Sequence, residues 1–266
     1  MMANTHLRVL QKFDEEIEQG RPWPRPHCRT CGEGYVSWEE PVTARTAQSM
    51  KDMHEPGWEP EWIAGTMHVI GHCDYRECKQ TVIGVGTFRV DYATSSWGSD
   101  YQGIPYAEFY KVKYFNPPLP LLSLPEAVPQ DVRDAIDRAA PIIFVDPSSA
   151  ATVLRASIEL FLTNWGIPAY DKNERRINLH KRIELWKAET GNQQVGEQLL
   201  AIKWIGNSGS HEGGPLSVRA VVDGLEFFEA AFNELIVAPE LKERVRAVNE
   251  AKGRIYAKPP GSSNNW

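Results

Sequence analysis

Between Asn116 and Pro129 the chain carries Pro117, Pro118, Pro120, Pro125 and Pro129. Proline fixes φ and removes a backbone donor, so this stretch suits neither a helix interior nor a central strand. The segment therefore separates two stretches whose apolar patterns differ in period. The expected organisation is α+β: an N-terminal antiparallel β module over residues 1–116, a proline-rich linker over 117–128, a helical bundle over 129–257 and a mobile tail over 258–266.

Upstream of the prolines, Thr66 to Ile70, Thr81 to Tyr92 and Glu108 to Phe115 read as strands between turn residues, which predicts a small antiparallel sheet. Leu7, Leu10, Phe13 and Ile17 recur at helical spacing before Arg21-Pro22-Trp23-Pro24-Arg25-Pro26 forbids continuation, so the chain is expected to open with a short helix. The stretch from Gly32 to Glu61 reads as an elaborated loop with a short helix near Ala44 to Met53.

All four cysteines fall in this module, as Cys28-x2-Cys31 and Cys73-x4-Cys78. Paired thiolates on two tight turns can converge on a borderline-soft cation. Gly32 follows Cys31, and the second pair falls between two expected strands, as in the knuckle of a zinc ribbon. The 41 residues between the pairs exceed the usual interval of about 15–20. The expected site is structural zinc held by Cys28, Cys31, Cys73 and Cys78, with His27 and His72 as possible substitutes; the alternative is four free thiols. Four thiolates would leave no open position for catalysis.

Downstream, Asp146-Pro147 reads as an N-cap with proline in the first turn, followed by the stripe Leu154, Ile158, Phe161, Leu162 and Trp165. Further helices are expected over Glu174 to Lys187, Val195 to Ile205, Ser217 to Ile236 and Pro239 to about Ile255. No internal repeat is visible.

The 266 residues carry a formal charge of −6, which argues against wholesale binding of a polyanion and leaves only local basic patches for such a role. The best such patch is Lys172, Arg175, Arg176, His180, Lys181, Arg182 and Lys187, with Arg175, Arg176, His180 and Lys181 as candidate RNA-binding residues. No run of about 18 apolar residues predicts a membrane span, and the charged N-terminal residues lack the apolar centre of a signal peptide, so a cytoplasmic location is expected.

Two polar constellations sit within the helical half. Arg155 and Glu159 lie four apart on one helix face, a spacing that also suits an ordinary ion pair. Lys203-Trp204-Ile205-Gly206-Asn207-Ser208-Gly209-Ser210-His211 places an Asn and a His four apart where the helical pattern breaks. Imidazole titrates near neutrality and can act as general base, and an Asn amide can hold a phosphate oxygen without charge; the same residues also suit a helix cap. A four-cysteine site is usually closed, which argues against a zinc enzyme.

Arg155-x3-Glu159, the helix led by Leu179 and Ile183, and Lys203-x2-Gly206-Asn207-x3-His211, in that order over roughly Val128 to Ile236, resemble a HEPN-superfamily helical domain, specifically the branch filed as the domain of unknown function DUF 4145. The ribbon-like cysteine pairs extend the resemblance. It implies a metal-independent endoribonuclease that works as a homodimer, of the sort used in toxin and antiphage systems. His211 would take the proton from a ribose 2′-hydroxyl, Asn207 would orient the scissile phosphate, and Arg155 and Glu159 would support the cleft. The position before Asn207, where active members carry Arg, is Gly206, and Lys203 is the nearest upstream cation. The resemblance equally accommodates a catalytically inactive module that docks a partner protein or nucleotide through its zinc ribbon and helical cleft.

Overall fold

The computed structural model describes residues 5–94, 106–208 and 215–252, so His211 and the expected tail lie outside the described residues. Helix α1 (Thr5–Gln11) ends in a tight turn over Lys12–Asp14 and leads to β1 (Ile17–Glu18). Then come β2 (Val36–Trp38), β3 (Val42–Arg45), α2 (Ala47–Asp52), β4 (Ala64–Cys73), β5 (Thr81–Tyr92) and β6 (Tyr106–Asn116). The sheet is antiparallel in the order β1-β6-β5-β4-β2, with β3 also on β4. One edge of β4 is thus shared, β2 pairing Val36 with Cys73 and β3 pairing Val42 with His68.

Two expectations for this half change. Ile17 is not on the opening helix: four residues after Phe13 it fits a helical stripe, but the edge of β6 offers backbone partners and Ile17 pairs with Tyr110. The stretch Gly32 to Glu61 is more than a loop with a helix, because β2 and β3 lie within it. The short helix falls where expected, with the Thr46 side chain accepting from the Ser49 amide at 3.1 Å.

The helical half comprises α3 (Gln130–Asp137), α4 (Pro147–Asn164), α5 (Leu179–Thr190), α6 (Gln193–Ser208), α7 (Val218–Phe232) and α8 (Ala238–Glu250). Asp146 caps α4 by accepting from the Ser149 amide at 3.0 Å. Helix α5 starts later than expected. Asp171 Oδ1 accepts from the amides of Asn173 and Arg175, closing a turn, and Asn178 then caps α5 through the Lys181 amide at 2.9 Å. Short polar side chains compete with the helix for backbone amides, so Arg175 and Arg176 sit on a loop. Helix α6 runs through Gly206 and Asn207, past the expected break. Pro239 does not begin a separate helix: a wide π-turn over Asn233–Val237 carries α7 into α8. That turn includes Leu235, whose carbonyl the Pro239 ring would meet in a regular helix.

Sheet and helices share one hydrophobic core. Phe13 lies 5.0 Å from Phe115 on β6 and 6.1 Å from Phe144 before α4, ring centre to ring centre, and Phe115 and Phe144 are 5.5 Å apart. The proline-rich segment lacks helix and strand, yet it is packed: Leu119 and Leu121 are buried, and the Pro120 carbonyl accepts from His6 Nε2 at 2.6 Å. Among the described residues no helix is long and apolar enough to cross a membrane.

Candidate functional site

The pairing of β2 with the end of β4 sets two turns side by side. Cys28 and Cys31 precede β2, Cys73 ends β4, and Cys78 lies in the turn before β5. The four Sγ atoms lie within 4.8 Å of one another, with Cys28 to Cys78 and Cys31 to Cys73 both at 3.7 Å. A disulfide needs about 2.05 Å. A tetrahedron of sulfurs each about 2.3 Å from a zinc ion has edges of about 3.8 Å, so the sulfur spacing fits such an ion.

The local backbone is shaped for this convergence. A Cβ on Gly34 would sit 2.5 Å from Cys73 Sγ, so only glycine lets the first turn approach the second. The Gly34 amide donates to Cys31 Sγ at 3.4 Å and is the main reason that thiol is lowered to about 7, while burial pushes the Cys73 thiol up to about 12. Close packing of thiols opposes ionising all of them, and a divalent cation bound among them removes that opposition. Neither histidine that could stand in for a cysteine joins the cluster: His72 bonds Glu39 and Thr81, and His27 packs on Tyr35.

The second constellation lies where α4, α5 and α6 meet. Glu159 on α4 pairs with Arg155 at 3.6 Å and with Arg176 at 2.7 Å, so one carboxylate serves two guanidinium groups. Lys203 on α6 is buried, and its Nζ lies 3.2 Å from the centre of the Trp204 ring. Burial, with the neighbouring Arg155 charge, holds Lys203 below the ordinary lysine range. The structure therefore brings Arg155, Glu159 and Lys203 together, with partly buried Asn207 on the last turn of α6. His211 lies outside the described residues.

Gly206 explains its own identity. A Cβ there would stand 2.5 Å from Arg155 Cβ and 2.8 Å from the Ala151 carbonyl oxygen. Helices α4 and α6 touch through that missing side chain, so the packing that assembles the polar cluster leaves no room for an arginine at this position.

The basic strip divides. Lys172, Arg175, Arg176, His180 and Lys181 are exposed, Arg176 while paired to Glu159. Arg182 and Lys187 drop out of it. Arg182 is buried and donates to the Glu159 carbonyl, Thr163 Oγ1 and the Ile167 carbonyl, tying down the end of α4; Lys187 is held by Glu197 at 2.7 Å and Glu184 at 3.2 Å. Trp204, next to Lys203 on α6, is 55% exposed and is not singled out by the sequence reading. The signal that could have found it is one of phase: it falls off the stripe made by Leu199, Ile202 and Gly206.

The purified protein is expected to carry about one zinc per chain and Cys73→Ser to lose it; metal analysis that finds none in the wild type removes the metal centre. Gly206→Ala is expected to lower stability by about 1–3 kcal/mol, because overpacking against backbone outweighs the helix propensity gained. Gly224→Ala on α7, where a Cβ would meet Ile205 and Leu154 at an ordinary 3.7 Å, is expected to be neutral or stabilising. Denaturant midpoints that fall equally for both would refute the close approach of α4 and α6.

Residues 137–251 match the family model described as Domain of unknown function (DUF4145), and residues 16–115 match Domain of unknown function (DUF8608). The first match covers the helices that carry the polar cluster, and the second covers the sheet and all four cysteines. No curated protein and no solved structure matches the chain.

Proposed function

We propose that this chain is an RNA-binding protein of HEPN-like fold that binds through the α4–α6 side of its bundle and does not cleave. The observation that carries the reading is the exposed basic run Lys172, Arg175, Arg176, His180 and Lys181 on one loop and helix start of an acidic protein. Phosphates are held by such point charges and guanidinium forks.

Against cleavage stands the use to which the other cations are put. Arg155 is tied to Glu159, Lys203 is covered by Trp204, and the place of the expected arginine is filled by the Gly206 contact. A phosphorane needs a cation free to meet its developing charge. The second reading, a metal-independent endoribonuclease, draws on one specific observation: Lys203 and Arg155 are close enough to affect each other next to the Asn207 turn, so a cation is near the motif even without the arginine. In that reading His211 is the general base.

In either reading zinc held by Cys28, Cys31, Cys73 and Cys78 is a structural crosslink between the turn before β2 and the β4–β5 turn. The ribbon-like module offers a surface for a partner protein, the bundle forms a homodimer, and the protein works in the cytoplasm.

RNA affinity measured against salt tests the reading. Arg175→Gln with Lys181→Gln is expected to weaken binding of single-stranded RNA and to flatten the slope of log K against log salt by about 0.7 for each phosphate that is no longer neutralised. An unchanged slope would take this surface out of the interface.

A further inference from the structure

An exposed tryptophan in the middle of a well-packed helix needs a reason. On α6, Leu199, Leu200 and Ile202 are buried, whereas Trp204 is 55% exposed and so contributes little to the core. Its ring is nevertheless held in place. The buried Lys203 ammonium lies against one face, 3.2 Å from the ring centre, and the His180 ring lies 6.3 Å away at 47°. The cations of the basic run that lie nearest in sequence to His180, namely Arg176 and Lys181, are exposed.

An exposed aromatic ring next to an imidazole, on a bundle that also exposes a run of cations, is the composition with which proteins hold single-stranded nucleic acid: bases stack on the ring while the charges track the backbone. We infer that Trp204 is a base-stacking platform for single-stranded RNA, with His180 beside it and Arg176 and Lys181 supplying phosphate contacts. The inference rests on the RNA-binding reading above and adds to it the strandedness of the ligand. In a duplex the bases are stacked on one another and their faces are closed to the ring, so a duplex can use only the cations. Lys203 acts here as a positioning residue. It lies against one face of the indole and leaves the other for the base.

The test compares a labelled 12-nucleotide oligouridine with a 12-base-pair RNA duplex, using anisotropy on the full chain. Trp204→Leu is expected to weaken oligouridine binding by about fivefold to a hundredfold with no change in salt slope, and Trp204→Phe to keep most of the affinity. Duplex binding is expected to be the same in all three proteins. Trp165→Leu, which alters another half-exposed tryptophan on the bundle, serves as the control and is expected to bind as wild type.

Equal oligouridine binding by wild type and Trp204→Leu overturns the stacking role while leaving RNA binding intact. A parallel fall for oligouridine and duplex also overturns it, and a change in molecular mass on replacing Trp204 overturns it and identifies the ring as a contact between copies of the chain. Absence of binding by the wild type to either RNA removes the RNA-binding reading, and the stacking role with it.

Discussion

The approach of α6 to α4 at Gly206 is the constraint on which the polar cluster depends. With Ala151 and Arg155 on one side and no side chain on the other, the two helices close to backbone contact. That closeness places Lys203 beside Arg155, buries its side chain and turns the next residue, Trp204, outward. A residue with a long side chain at 206 would separate the helices, so the geometry that gathers the cations leaves no room there for an arginine. Glu159 completes the arrangement by holding two guanidinium groups that would otherwise repel.

The sheet supplies a different kind of order. Its register sets the cysteine turns together, and its inner face joins the bundle through Phe13, Phe115 and Phe144 in one core. A metal crosslink at the cysteines would therefore stiffen a sheet that is itself packed on the helices. Leu119 and Leu121, buried in the proline-rich segment, extend the same core across what composition alone marks as a boundary.

What is legible in the sequence is what local chemistry decides. The β-rich run Thr81 to Tyr92 matches β5 to the residue, Asp146-Pro147 marks the start of α4, and two cysteine pairs beside turn residues point to one cluster. What is not legible depends on partners distant in the chain. Ile17 joins a strand because β6 has a free edge. The turn that keeps Arg175 and Arg176 off α5 is closed by the Asp171 side chain, and Arg182 reads as a surface cation until the end of α4 packs on it. Gly206 looks like a helix breaker, and only the position of Ala151 and Arg155 shows it as a packing glycine within the helix.

Binding without cleavage is put to the test by incubating a mixed RNA pool with the purified protein and with His211→Ala, with and without divalent metal. Gel analysis is run beside a binding assay on the same preparations. The wild type is expected to shift the RNA and to leave its length distribution unchanged. Shortening of the RNA by the wild type, independent of metal and lost in His211→Ala, would contradict it and make Lys203 or Arg155 the catalytic cation.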